Sequence, residues 1–124
     1  MTSISNPAFL PDLTLGEHIS LVSLRAGVDM DTLLSRLEPW HVTELPNTLP
    51  SRLSSGQKQR ANLGVQLAVA APIVVLDEPE RHLDRDWTQL LCTQLRHMAQ
   101  SGATVIVASH SPRLIEDADR EIRL

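Results

Sequence analysis

Two neighbouring carboxylates, Asp77 and Glu78, follow the apolar run Ile73-Val74-Val75-Leu76 and precede Pro79. A strand that ends in two acids puts oxygen ligands at the carboxyl edge of a parallel sheet, where such sheets keep their ligands. One carboxylate can hold Mg²⁺, directly or through water, because the ion prefers oxygen donors and retains several waters. The other can orient or deprotonate an attacking water. Taken alone, the run also reads as a strand leading into a solvated acidic turn. A second constellation is Leu53-Ser54-Ser55-Gly56-Gln57, followed by Lys58-Gln59-Arg60. Here a serine hydroxyl, a glycine and a helix start coincide, and free N–H groups at the positive end of a helix dipole make an anion site. Gly56 lets a phosphate approach the backbone with no side chain in the way. The third is Val107-Ala108-Ser109-His110, a histidine just past a buried strand, on the same sheet edge as Asp77 and Glu78. It can bond a terminal phosphate or position the attacking water. His18, His41, His82 and His97 have no such placement and are read as ordinary surface or core residues.

The elements that must position these groups are legible from caps and periodicity. Thr14 with Glu17 three residues on is a capping box, and Leu15, Ile19 and Val22 keep helical spacing until Gly27. Asp29 or Asp31 can cap a second helix with Leu33, Leu34 and Leu37 on its apolar side, ended at Pro39. From Trp40 to Leu53, with Pro46 and Pro50, the chain reads as a loop. Ser54 is the N-cap of a third helix, running from about Ser55 to Ala70. Ile73 to Leu76 is too short and too β-branched for a helix and reads as a strand buried on both faces. A fourth helix is predicted from about Asp86 to Gln100, with Trp87, Leu90, Leu91, Leu95 and Met98 inward and Ser101-Gly102 as its stop. Thr104 to Ala108 is a second buried strand, Ser111-Pro112 opens a short helix, and Glu121 to Leu124 reads as a last strand. Helix alternating with apolar strand in the second half predicts an α/β fold, a parallel sheet with flanking helices.

The chain has 124 residues, the length of one domain. It is 42% hydrophobic and 21% charged, the balance of a folded globular chain rather than a disordered one. A formal charge of −4 gives no basic footprint, so no nucleic-acid partner is expected. Cys92 is the single cysteine, which excludes an internal disulfide and a multi-cysteine zinc site and reads as a buried, inert thiol. No apolar run reaches the roughly 18 residues that span a bilayer, and the first residues lack the pattern of a secretory signal. A cytoplasmic protein is expected.

The order and spacing of LSSGQKQR, IVVLDEP, ERHLD and IVASH resemble the second half of an ABC transporter ATP-binding domain. The match is ungapped from about Leu53 to His110 and looser over most of the chain. Each motif alone is weak; four in order are specific. The resemblance implies a P-loop NTPase-like parallel sheet preceded by the helical subdomain of that family. Residues 1–70 would form the helical subdomain with the signature helix, and 71–124 the part bearing the Walker B and H-loop motifs. Leu53 to Gln57 match the signature, usually LSGGQ, so Ser54, Ser55, Gly56 and Gln57 are implied to contact nucleotide, with Ser55 in place of a glycine. Asp77 matches the Walker B aspartate near Mg²⁺, and Glu78 the catalytic glutamate. Asp84 matches the D-loop aspartate, which bridges two halves of a dimer, and His110 the switch histidine of the H-loop. ATP and Mg²⁺ are the implied cofactors. A second ABC ATPase subunit, identical or different, and a membrane-spanning transporter subunit are the implied partners, with the protein peripheral to the cytoplasmic membrane.

Asn6 to Ile19 resembles the stretch after the family's Q-loop, and in that register the glutamine falls on Ser5. No G-x-x-x-x-G-K-[ST] occurs in these residues, and no tyrosine that could stack on adenine. In the family the Walker A loop provides most of the grip on the β- and γ-phosphates. The 124-residue chain is therefore expected to be a shortened form that binds and turns over ATP negligibly by itself. The alternative is a non-catalytic half-site that caps ATP on an intact partner. By resemblance the Thr104–Ala108 strand would lie between the Walker B strand and the Walker A strand, leaving an edge open and stability marginal.

Overall fold

In the computed structural model, which describes residues 2–4 and 9–123, the fold begins with a strand that the sequence alone does not announce, β1 (Thr2–Ile4). The contacts form two units, Asn6–Ala70 and Met1–Ser5 with Ala71–Leu124. The glutamine register expected at Ser5, the first three residues of the Asn6–Ile19 stretch, and Leu124 of the expected last strand lie outside the described residues.

The first unit is helical. Thr14 Oγ1 accepts the Glu17 N–H at 3.2 Å, and the Glu17 carboxylate accepts the Thr14 N–H at 2.9 Å, so both arms of the capping box start α1 (Leu15–Ala26). The bonds from the Thr14 backbone and then its side chain hold the Glu17 carboxyl below its ordinary value. Gly27, at φ 68°, closes the helix in the left-handed region. Of the two candidate aspartates, Asp29 caps α2 (Met30–Leu37). Leu33 and Leu37, four residues apart, are buried, whereas Leu34 turns to the rim at 36% exposure, against the expectation for it.

Helix α2 tightens into a 3₁₀ turn at Glu38–Trp40, as Pro39 requires, and Trp40 is buried. The loop that follows carries one more 3₁₀ turn, Pro50–Arg52. Ser54 then caps α3 (Ser55–Ala68). A Cβ at Gly64 would stand 3.0 Å from Leu37 Cδ2 and 3.1 Å from the Trp40 ring, so α3 approaches the indole only because that position is bare. The propensity cost of an interior glycine, about 1 kcal/mol, is offset by burying the ring. Helix α3 ends two residues before the predicted Ala70, which sits at φ 53°, and Arg36 Nη1 donates to Ala68 O at 2.6 Å. His18, unremarkable in the sequence, ties the lead-in segment to α1. Its Nε2 accepts the Leu10 N–H at 2.8 Å, and its Nδ1 lies 3.0 Å from Thr14 O. With Nε2 accepting, the ring proton sits on Nδ1.

The second unit is a three-stranded parallel sheet in the order β1-β2-β3, with β2 (Ile73–Asp77) central and β3 (Thr104–Ala108) beside it. The register pairs Ile73 with Thr104 and Asp77 with Ala108. Helix α4 (Arg85–Gln100) packs along β3, and α5 (Pro112–Asp117) packs on α4. Ile73 to Leu76 is expected to be buried on both faces and Thr104 to Ala108 to be a buried strand, but the structure covers one face of each. Val74 and Leu76 are buried and Val105 and Val107 half-buried, but Ile73 is 43% and Ile106 55% exposed on the other face. No described element of the unit covers that second face. In α4, Leu91, Cys92 and Leu95 are buried, while Trp87, Leu90 and Met98 are half-buried rather than fully inward. Burial pushes the Cys92 thiol pKa up, as an inert core cysteine requires.

No strand forms over Glu121 to Arg123, which lacks regular structure and leaves Ile122 77% exposed. Its polar residues pair locally instead: Arg123 Nε lies 2.8 Å from Glu121 Oε1. Just before it, Arg96 of α4 binds Asp119 Oδ1 at 3.1 Å and bonds the Asp117 carbonyl. No helix among the described residues is long and apolar enough to cross a membrane.

Candidate functional site

The carboxyl end of β2 turns sharply. Asp77 is its last residue and is exposed. The Glu78 N–H still donates to Ala108 O at 2.7 Å, as though the ladder continued, but Glu78 adopts φ 46°. A non-glycine residue in the left-handed region costs on the order of 1–3 kcal/mol and persists where its surroundings hold it. The bond to Ala108 and the fully buried Pro79 supply that hold. The turn continues through Arg81 N to Glu78 O at 3.1 Å and Leu83 N to Glu80 O at 3.0 Å, with His82 at φ 63°.

This geometry brings two sequence-predicted residues together. Glu78 Oε1 lies 3.9 Å from His110 Nε2, and Glu78 Oε2 lies 3.3 Å from Arg81 Nη2. The His110 side chain is 95% exposed and the Glu78 side chain 42%, so both present their polar atoms to solvent and to any substrate. The pair contributes little to stability at that exposure; what it has is chemical access. Glu78 offers an acceptor for a water proton, and His110 a nitrogen that donates or accepts a few ångströms away.

Asp84 has a local partner. Its Oδ1 accepts the Trp87 N–H at 3.0 Å and its carbonyl accepts from Thr88, so it is the N-cap of α4. The residues Ser54 to Gln57 belong to the other unit. Ser54 Oγ accepts the Gln57 N–H at 3.1 Å, and Gln57 Oε1 accepts the Ser54 N–H at 2.9 Å. The Lys58 N–H goes to Ser54 O. The N–H groups of Ser55 and Gly56 are left at the head of a 14-residue helix with no partner among the described residues. Ser54 and Ser55 are exposed. Two free N–H groups, a hydroxyl with its proton still to donate and the positive helix end together suit an anion.

Sequence reasoning missed Glu80 and Ser109. Ser109 Oγ donates to Glu80 Oε1 at 2.5 Å and accepts the Ser111 N–H at 2.9 Å. The available signal was a hydroxyl residue next to the histidine and a third acid two residues past Glu78. Neither position carries chemistry by type alone.

Oxygen donors at a strand end suit Mg²⁺. No group of three or more His, Cys, Asp or Glu side chains gathers among the described residues. A lone exposed strand-end carboxylate, Asp77, beside Glu78 is what an ion that keeps its waters and takes one or two carboxylates needs.

A family model described as "AAA domain, putative AbiEii toxin, Type IV TA system" matches residues 28–116. An uncharacterized ABC transporter ATP-binding protein of Mycobacterium tuberculosis is 35% identical over 120 residues, covering 93% of this chain and 48% of the relative. A probable amino-acid ABC transporter ATP-binding protein of Haemophilus influenzae is 38% identical over 90 residues, covering 72% of this chain and 35% of its own length. A macrolide export ATP-binding/permease protein of Yersinia pestis is 30% identical over 122 residues, 93% of this chain and 18% of that one. The chain thus spans about half the length, or less, of these curated relatives. Among solved structures, an ATP-binding subunit of an ABC transporter superposes with a TM-score of 0.81 at 22% identity, covering 93% of this chain and 51% of that one. A dimeric bacterial ABC transporter cassette gives 0.77 at 24% identity, covering 90% and 52%. At those identities the superpositions speak for the fold. With ABC transporter ATP-binding proteins among its relatives at 30–38% identity and the fold of solved ABC cassettes, the chain belongs to the ABC transporter ATP-binding domains and spans part of such a domain.

Proposed function

We propose that this chain acts in the ATP-binding subunit of an ABC transporter, where ATP binding and hydrolysis are coupled to transport. The observation that carries the reading is the meeting of Glu78 and His110, 3.9 Å apart, beyond the end of β2. Glu78 orients the attacking water and takes its proton, and the strained φ of 46° is what aims it off the strand. His110 bonds the terminal phosphate or steadies the same water. Asp77 would hold Mg²⁺, which when bound neutralises charge on the phosphate oxygens. The Ser54 hydroxyl and the N–H groups of Ser55 and Gly56 donate to a phosphate held by the P-loop of a second subunit, with Gln57 locking the cap that presents them. Asp84 caps α4 and, in an assembled dimer, faces the partner.

Residues 6–70 serve as the helical subdomain and 71–124 as the sheet-bearing part; the two contact units support this division, but they correct the expected 1–70 boundary, because residues 1–5 group with the sheet, where Thr2–Ile4 pairs with β2. The partners are a second ABC ATPase subunit and a membrane-spanning subunit, at the cytoplasmic face of a membrane. A similar cassette is dimeric, and the Yersinia pestis relative is named as both ATP-binding and permease. One more structure of the same fold, at 22% identity and a TM-score of 0.80, is bound to ADP and Pi. These 124 residues contain no G-x-x-x-x-G-K-[ST], so a polypeptide of this sequence alone holds ATP weakly.

A narrower second reading is that the chain is non-catalytic and only caps ATP on an intact partner. The unpartnered N–H pair at Ser55 and Gly56 favours it. Mixing the chain with an intact ABC ATPase subunit that supplies the P-loop tests both. A rise in turnover that Glu78→Gln or His110→Ala abolishes supports the catalytic reading. A rise indifferent to both variants supports capping alone, and no change on mixing contradicts both.

A further inference from the structure

The residues on either side of His110 are tied to the segment that leaves β2. On one side Ala108 O accepts the Glu78 N–H at 2.7 Å. On the other, Ser109 Oγ donates to Glu80 Oε1 at 2.5 Å and accepts the Ser111 N–H at 2.9 Å. The second Glu80 oxygen, Oε2, is buried and has no partner among the described residues. A buried acid with a single partner concentrates its bonding there, and the Ser109 hydroxyl is the contact that accounts for an acid at this position. At 95% exposure the His110 side chain is not fixed by packing. Its position over Glu78 must come from the loop.

We infer that Glu80 is a positioning residue for His110. Through Ser109 it clamps the loop Ser109–Ser111 onto the turn Glu78–Arg81, and so sets the imidazole at 3.9 Å from the Glu78 carboxylate. The inference deepens the proposed function, since it rests on Glu78 and His110 acting together. It requires that Glu80 supply an acceptor at Oε1, whereas the negative charge is dispensable. Glutamine therefore preserves the clamp, because its carbonyl takes the place of Oε1, and alanine destroys it.

The experiment is a spectroscopic double-mutant cycle on the 124-residue chain. The His110 ring resonances are followed by NMR while Glu78 is changed to Gln, in the wild-type, Glu80→Ala and Glu80→Gln backgrounds. Glu78→Gln is expected to displace the His110 signal in the wild type and in Glu80→Gln, and by less than about half as much in Glu80→Ala. Exchange of the Ser111 amide is expected to accelerate about tenfold in Glu80→Ala and to return to the wild-type rate in Glu80→Gln. Should Glu80→Ala not fold, Glu80→Ser, whose short side chain cannot span to Ser109, takes its place with the same expectations. An equal His110 displacement in the alanine or serine background, or failure of glutamine to restore it, overturns the inference. No nucleotide is needed, so this outcome is separate from the ATPase reading, which fails if His110→Ala leaves the turnover of the assembled subunits unchanged.

Discussion

Changing Ser54 to alanine and to aspartate separates the structural duty of the signature serine from its duty toward phosphate. In the structure its Oγ accepts the Gln57 N–H at 3.1 Å, at an exposed helix start. Alanine removes that acceptor and leaves the N–H to water, a loss of about 1 kcal/mol within a usual range of 0.5–2. Aspartate accepts the same bond and places a negative charge at the positive end of the helix, so stability is kept or gains about 0.3–1 kcal/mol. Toward a triphosphate the order reverses. Alanine forfeits one donated hydrogen bond, on the order of 1.5–3 kcal/mol to a charged acceptor, but leaves the N–H groups of Ser55 and Gly56 in place. Aspartate sets like charges about 4 Å apart, about 4 kcal/mol at an effective dielectric of about 20, or roughly a thousandfold in affinity. Urea unfolding followed by circular dichroism measures the first effect. ATP-dependent association with an intact ABC ATPase subunit, measured by sedimentation, gives the second. Association of Ser54→Asp as tight as that of the wild type, or unfolding of Ser54→Ala at the wild-type urea concentration, would refute this division of duties.

Three further outcomes follow from single features. Glu78→Asn, which tolerates a φ of 46° better than glutamate, should stabilise the chain by about 0.5–1 kcal/mol in thermal unfolding while abolishing turnover in the assembled subunits. Cys92 is 1% exposed with its thiol pKa raised by burial, so alkylation at pH 8 should proceed only as fast as the chain opens and accelerate with urea. The Glu17 carboxyl is held below its ordinary value of 4.5 by the Thr14 bonds. Its contribution to α1 is therefore complete above pH 4.5 and lost as pH falls through the depressed folded value. Protection of the first-turn amides of α1, taken relative to their intrinsic exchange rates, should fall over that acid range, and Thr14→Ala should remove the dependence.

Local chemistry was legible where a few neighbouring residues decide the outcome. The capping box at Thr14, the N-cap at Ser54, the stop at Gly27 and the proline start of α5 all follow from chemistry within three or four residues; the second arm at Ser54, from Gln57, is seen only in the structure. The order of Ser54–Gln57, Asp77-Glu78, Asp84 and His110 along the chain carried the family. What was not legible depends on partners distant in sequence. The strand β1 has three residues, too few for any periodicity, and exists because it adds to β2. An apolar run such as Ile73 to Leu76 reads as buried on both faces, but burial is decided by what packs there, and the described residues cover one face. Glu121 to Leu124 reads as a last strand, but among the described residues no strand pairs with Glu121 to Arg123. The Glu80–Ser109 bond joins residues 29 apart, and the left-handed turn at Glu78 arises from the ladder bond and Pro79 rather than from its own type.

On the proposed function, Ser54 to Gly56 cap a nucleotide gripped by a second subunit's P-loop, whereas these 124 residues alone hold ATP weakly. Calorimetric titration of Mg²⁺-ATP into the purified 124-residue chain, alone and then with an intact ABC ATPase subunit, tests that directly. No measurable binding alone, and tighter nucleotide binding in the mixture than by the intact subunit alone, is the expected result. Stoichiometric, tight ATP binding by the chain alone would contradict it.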